Sequence, residues 1–253
     1  MTVPSLPVFE PWQWLLVYLS AFSIGLAKTG LPGVGIVAVA LFPLLLPPRE
    51  AVGSVLLVLI GADILAVTTY RREVEWKQLA RLFPWSAFGV LLGYLTMGRL
   101  PDAQLVRLIG AILLVLVCLQ FWQRLKPKQE GDDSTTLPPW LGVLAGTLAG
   151  FTTMVANAAG PVMILYLLAM QLPKMAFIGT VAWFFFAINL FKVPFSIALG
   201  GINLATVVLA LAIYPGALVG GLLGKALLPK INQRLFEWLA LIFTLVAAIK
   251  MIL

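Results

Sequence analysis

The chain has 253 residues, of which 61% are hydrophobic and 11% charged, whereas charged residues alone make up about a quarter of an ordinary soluble domain. Its formal net charge of +7 is of the size seen in nucleic-acid binders. Here the basic residues lie in short connectors between apolar blocks and act as topology signals, so no nucleic-acid partner is expected. With a single cysteine, Cys118, and no histidine, a disulfide framework and any His-based catalytic or metal site are excluded.

In chain order, Met1 to Pro11 carries no Lys or Arg and so lacks the basic start of a secretory signal peptide; the first apolar segment is expected to be retained. The apolar blocks run Trp12 to Leu46, Ala51 to Tyr70, Leu79 to Met97, Leu105 to Leu125, Pro139 to Gln171, Ala176 to Leu199, Ile202 to Leu227 and Leu235 to Leu253. Several exceed the roughly 18 to 20 residues a helix needs to cross hydrocarbon about 30 Å thick. Blocks such as Ala51 to Ala66 are nearly continuous and lack the period-two alternation of a spanning strand. The fold class that follows is an all-α polytopic membrane protein, with the lipid bilayer as its solvent.

The strongly polar connector Lys126 to Thr136 divides the eight blocks into two homologous four-block halves, residues 1–125 and 137–253. The first block of each half is the long one, is broken by Gly and Pro, and ends in Pro plus a basic residue, Pro48-Arg49 or Pro173-Lys174. In the third blocks, Gly89 and Gly93 answer the series Gly216, Gly220, Gly224. Glycines at that spacing let helices pack backbone to backbone, and they suit packing within the chain or a homodimer equally.

As one straight helix Trp12 to Leu46 would be about 52 Å long, nearly twice the hydrocarbon thickness. It is therefore expected to fold back near Lys28 to Gly33 as a hairpin, fully crossing or re-entrant. Treating both long blocks as single spans places eight Lys and Arg on one side and seven on the other, which carries no orientation signal. Treating them as hairpins gives eleven against four (Arg49, Arg99, Arg107, Lys250), a positive-inside bias. The hairpin reading makes the halves an inverted repeat with both termini outside the bacterial cytoplasmic membrane. Trp12, Trp14, Trp76, Trp122 and Trp140 fall at block edges and mark the interfaces.

The two breaks read Gly25 to Gly33 and Gly150 to Pro161. Pro32 and Pro161 are each expected at the first position of a new half-helix, where the missing N–H costs nothing. Helix starts created at membrane depth are ready anion sites, and Lys28, Thr29, Gly30, Gly33, Thr152, Thr153, Asn157 and Gly160 are candidate binding residues. The alternative is a plain kink, with Lys28 snorkelling to a headgroup. Asp63 lies about 10 Å along its helix from Arg71, and Lys192 is expected at a similar depth in the corresponding block. Asp63 is a candidate coupling group or the structural partner of a lysine, while Asn189 and Lys192 are candidates to line the route. Trp183 to Phe186 are expected to face lipid or to pack. An enzyme is not expected, because intramembrane hydrolysis needs clustered acids, a metal or an activated nucleophile, and Asp63 is the one acidic residue well inside a span.

At these breaks the sequence resembles the sulfite exporter TauE/SafE family of membrane transporters, from about Leu15 onward. The resemblance is carried by Gly150-Phe-Thr-Thr-Met-Val-Ala-Asn-Ala-Ala-Gly-Pro161, Tyr166-Leu-Leu, Leu172-Pro-Lys174, Gly179-Thr-Val-Ala-Trp-Phe-Phe and Asn189-Leu-Phe-Lys-Val-Pro194. In the first half Gly30 to Gly35 and Phe42-Pro43-Leu44 are similar to the family's Gly-rich signature, with Gly33-Val34-Gly35 in place of a triple glycine. The resemblance implies transport of a small, sulfur-containing anion such as sulfite, a sulfonate, sulfoacetate or thiosulfate, and no cofactor. A carrier coupled to a proton or sodium ion is the leading expectation, with a passive anion channel as the alternative.

Overall fold

The computed structural model describes residues 9–97, 114, 118 and 138–252, and every regular element among them is an α- or 3-10 helix. The linker 126–136, Arg99, Arg107 and Trp122 lie outside the described residues. So does most of the block Leu105 to Leu125, of which Leu114 and Cys118 are helical.

α1 spans Pro11–Thr29. It starts there because Pro11 occupies a position that needs no N–H, and the side chains of Glu10 and Gln13 cap each other's backbone. It stops at Gly30, and Gly33 adopts a left-handed φ of 95° that favours glycine. The chain then doubles back: a Cβ added to Gly35 would lie 3.3 Å from that of Ala27. α2 (Ile36–Leu41) and a 3-10 turn (Phe42–Leu44) follow, and Pro47-Pro48 launches α3 (Pro48–Tyr70). The first long block is thus a broken hairpin, but Pro32 sits in the turn and not at the head of the new helix.

α4 covers Trp76–Thr96, and α5 covers Pro139–Ala156. α5 ends on Asn157 in the left-handed region (φ 52°); the Asn157 N–H donates to Thr153 O at 3.0 Å and the Ala158 N–H to Thr152 O at 3.1 Å. That arrangement satisfies the last carbonyls of a helix, and Asn tolerates it better than other side chains do. α6 (Ala159–Ala169) begins at once, with Pro161 as its third residue, still within the turn whose N–H groups have no helical partner. α7 (Lys174–Ala198), α8 (Leu204–Leu227) and α9 (Gln233–Ile252) complete the described chain. By length and composition α3, α4, α7 and α8 can each cross a bilayer.

α1 lies alongside α8, running the same way. Tyr18 Oη donates to Ala212 O at 3.0 Å, Gly25 lies against Ala217 and Gly221, and Gly30 against Gly224. α5 lies alongside α4 in the same sense, with Gly150 against Ser86 and Met154 against Gly93. α3 and α7 run antiparallel: Gly53 meets Gly201, Asp63 meets Asn189 and Glu73 meets Gly179. Pro84, Gly89 and Gly93 of α4 recur at the same spacing as Pro215, Gly220 and Gly224 of α8. In both helices the glycines receive a neighbouring helix of the same chain, so the homodimer role weighed for them is not needed to explain their spacing. One buried apolar cluster gathers Val17, Ala21, Phe42, Val55 and Ile213, another Leu82, Met154, Leu167, Phe177 and Phe236.

A Cβ on Gly220 would fall 2.0 Å from Phe22 O, which is backbone and cannot swing aside. We predict that Gly220→Leu separates α1 from α8, costing about 3 kcal/mol or more and lowering the melting temperature in detergent, whereas Leu222→Ala on the exposed face leaves it unchanged. Equal melting temperatures for both variants would contradict this packing.

Candidate functional site

Three charged side chains are buried among the described residues: Lys28, Asp63 and Lys192. Their helices put them there. Lys28 is in the last turn of α1, just before the break, where a cation also suits the negative helix end. Its Nζ lies 2.7 Å from Asp63 Oδ1 and 3.8 Å from the ring centre of Phe185 on α7. Asp63, on α3, accepts a second contact at Oδ2 from Asn189 Nδ2 at 2.7 Å. Both carboxylate oxygens are therefore engaged.

Lys192, one turn along α7 from Asn189 and 0% exposed, has a different environment. Its Nζ donates to Thr153 Oγ1 at 3.0 Å and to Asn157 Oδ1 at 2.7 Å, both neutral acceptors at the α5 break. Asn157 Nδ2 in turn donates to Val52 O at 2.9 Å, tying that break to α3. The left-handed turn at Asn157 is what lets one residue end a helix, accept from Lys192 and reach another helix. The cluster as a whole has two lysines and one aspartate.

Lys28, Thr153, Asn157 and Phe185 border a cavity offering about 90 Å³ to the centres of water molecules, several times the roughly 10–15 Å³ one water needs. Both breaks contribute to its wall: Lys28, Pro32, Gly33 and Gly35 from one, Thr153, Asn157, Ala158, Gly160 and Pro161 from the other. α6 starts here with no side-chain cap, and the N–H groups of its first turn have no partner within a helix. Val55, Leu59, Ile164, Val181 and Phe185 line much of the remainder.

Of the residues singled out in the sequence, Lys28, Gly33, Thr153, Asn157 and Gly160 line this cavity, with Lys192 directly behind Thr153 and Asn157. Others do not reach it. Thr29 donates to Gly221 O at 2.6 Å and its carbonyl accepts from Tyr70 Oη at 2.5 Å, so it fastens α1 to α8 and α3. Gly30 is the contact for Gly224. Thr152 bonds back to Leu148 O within its own helix. Asn189 holds Asp63 and does not line the cavity. Asp63 meets Asn189 and, as the structural alternative had it, a lysine, Lys28. The snorkelling alternative for Lys28 fails, because its ammonium points inward to Asp63. Phe185, expected only to pack or face lipid, also covers Lys28 and lines the cavity; the spacing Val181, Phe185, Asn189, Lys192 is one helical face and was the available signal.

Removing one partner of a buried ion pair strands the other, at about 3–5 kcal/mol. Asp63→Asn is expected to lower thermal stability by an amount in that range, and the double change Asp63→Asn with Lys28→Met to recover most of it. If the double variant is as unstable as the single one, the pair is not what holds α1 to α3.

Neither a search of curated proteins nor a search of solved structures returns a match. The family model described as "Sulfite exporter TauE/SafE" matches residues 17–251, which takes in both breaks, the three buried charged residues and all of the described helices except residues 11–16 of α1 and Ile252 of α9. The chain belongs to the sulfite exporter TauE/SafE family of membrane transporters.

Proposed function

We propose that this transporter is a secondary carrier that moves a small sulfur-containing anion, of the sulfite, sulfonate, sulfoacetate or thiosulfate kind, across a bacterial cytoplasmic membrane. The observation that carries the reading is the count of buried ionisable residues beside the cavity: two lysines against one aspartate. In a low-dielectric interior an unbalanced cation is costly, and an anion arriving in the cavity removes the imbalance. Lys28, the Thr153 hydroxyl, the Asn157 amide and the start of α6 are the donors, and Lys192 acts through Thr153 and Asn157.

Alternating access fits the packing. α1 of the first half is held by α8 of the second, and α5 of the second by α4 of the first, as two halves related by an inverted repeat would arrange them. α3 and α7 then cross where Asp63 and Asn189 meet. The Tyr70 to Thr29 contact ties the first break to one end of α3, and the Asn157 to Val52 contact ties the second to the other. Asp63 is the coupling group: when a proton reaches it, Lys28 loses its partner and turns to the substrate.

In proteoliposomes Lys192→Gln should lower transport on the order of 10- to 100-fold, the range for losing a charge-assisted hydrogen bond, with unchanged folding. Unchanged uptake kinetics would remove Lys192 from the mechanism, and an ohmic current in place of saturable counterflow would identify a channel.

Orientation has a separate check. Arg71, Arg72, Lys77, Lys174, Lys225 and Lys230 cluster at one end of the helices and Arg49 stands at the other; by the positive-inside rule the first end is cytoplasmic. In a Cys118→Ser background, Arg49→Cys should react with an impermeant maleimide in intact cells and Arg72→Cys only after lysis; the reverse pattern inverts the model.

A further inference from the structure

We infer, building on the anion-carrier reading, that the transport route leaves the central cavity through a second, smaller pocket at the Arg49 end of the helices, where Arg49 and Ser196 form an anion-binding mouth. The hydrogen bond from Asn157 to Val52 is the closure between the two, and it parts when an anion passes.

The second pocket has Arg49, Val52, Met154 and Ser196 in its wall and offers about 10 Å³ to the centres of water molecules, room for about one water. Ser196 is only 3% exposed, yet its hydroxyl has no hydrogen-bond partner among the described residues. Ser20, Thr96 and Thr152 each turn the hydroxyl back onto a carbonyl of their own helix. Ser196 does not, and a buried hydroxyl left without a partner is costly unless a guest in the pocket satisfies it. Arg49 makes no ion pair among the described residues, so its guanidinium has donors to spare. No carboxylate lines the pocket among the described residues. A cationic donor and an unengaged hydroxyl together suit an oxyanion.

The two linings adjoin. Along one face of α3, Val52 borders the small pocket, while Val55 and Leu59, one and two turns on, border the central cavity. At the end of α5, Met154 borders the first, and Thr153 and Asn157 the second. The bond from Asn157 Nδ2 to Val52 O, 2.9 Å long, therefore crosses the boundary. Lys192, which holds Asn157 Oδ1 at 2.7 Å, stands about 6 Å along α7 from Ser196 on the same helical face. An anion moving from Lys28 toward Arg49 thus meets the groups held by Lys192 and then Ser196. The backbone here is already in close contact, since a Cβ on Gly53 would fall 1.8 Å from Gly201 O. That leaves the Asn157 side chain as the part that can move without shifting a helix, and a single neutral hydrogen bond is a closure that thermal motion opens.

Thiol reactivity of the purified full chain, in a Cys118→Ser background, tests this. Ser196→Cys should react slowly with methyl methanethiosulfonate, and adding Asn157→Asp should speed the reaction about tenfold, the equivalent of one lost hydrogen bond. Aspartate keeps the oxygen that accepts from Lys192 and tolerates the left-handed turn, but lacks the amide donor. Corrected for their rates with free cysteine, the anionic sulfonatoethyl reagent should outpace the cationic trimethylammonium one about fivefold at Ser196→Cys, and Arg49→Gln should abolish that preference. No acceleration by Asn157→Asp, or no charge preference that depends on Arg49, overturns the inference. Equal acceleration at Ser86→Cys, a buried site between α4 and α5, means a loosened fold and overturns it too. In proteoliposomes, labelling Ser196→Cys should abolish counterflow of whichever of sulfite, thiosulfate and ethanesulfonate the unlabelled protein carries. Undiminished counterflow after labelling removes the mouth and leaves a carrier, whereas counterflow of none of them by the natural chain defeats the carrier reading itself.

Discussion

A lysine side chain fully enclosed by protein, whose hydrogen-bond partners among the described residues are neutral oxygens, is the constraint around which this molecule is arranged. Lys192 sits on α7 among aliphatic and aromatic neighbours, where a bare charge is far less stable than in water. Thr153 and Asn157 supply its acceptors, and they occupy that position only because α5 ends where it does. An unbroken helix would carry Asn157 round its own axis and its amide away from both Lys192 and Val52. The break is therefore part of how the charge is kept.

The first break does comparable work for Lys28. Its ammonium is shared by Asp63 and the Phe185 face, so three helices, α1, α3 and α7, converge on one group. A buried ion pair is weak evidence of net stability, since desolvation offsets much of the attraction. What it provides is positional: a mispacked α1 would leave a carboxylate and an ammonium unpaired within the membrane, so the cluster discriminates against wrong arrangements more than it strengthens the right one. Glycine contacts perform the remaining alignment. Gly25, Gly89, Gly150 and Gly220 bring backbones so close that no side chain fits between them, and in lipid, where apolar surface drives little helix association, such close packing is a principal source of cohesion.

Membership of a transporter family and the geometry of the cavity bear on function from different directions. The family match concerns the whole chain, whereas the cavity concerns about a dozen side chains whose charge and polarity can be counted directly. A cavity that joins both helix breaks, with Lys28, Thr153 and Asn157 in a lining that is otherwise mainly apolar, has the make-up of a small-molecule pocket. Asn189 and Phe185 belong to this picture as supports: one fixes the carboxylate, the other the ammonium, and neither rotamer is free to relax without unsettling Lys28.

Much of the architecture was legible from residue order alone. Apolar continuity over lengths such as Ala51 to Tyr70 requires helices in a bilayer, because every backbone N–H and C=O must find a partner within its own segment. The excessive length of Trp12 to Leu46, with Gly30, Pro32 and Gly33 inside it, forced a reversal, and Lys28 and Lys192, ionisable residues within apolar blocks, marked the centre. Local geometry was misplaced by a few residues: helix starts follow hydrogen-bond closure, so α2 begins at Ile36 and not at Pro32. What linear order could not supply was partnership. Thr29, Thr152 and Asn189 carry the same chemistry as Thr153 and Asn157, yet the first two are turned toward backbone carbonyls and the third toward Asp63. A helix presents a new face every 100° or so, so which of two adjacent threonines meets the cavity is decided by how neighbouring helices rotate and pack. Burial, charge balance and the enclosure of the cavity exist only once those helices are assembled.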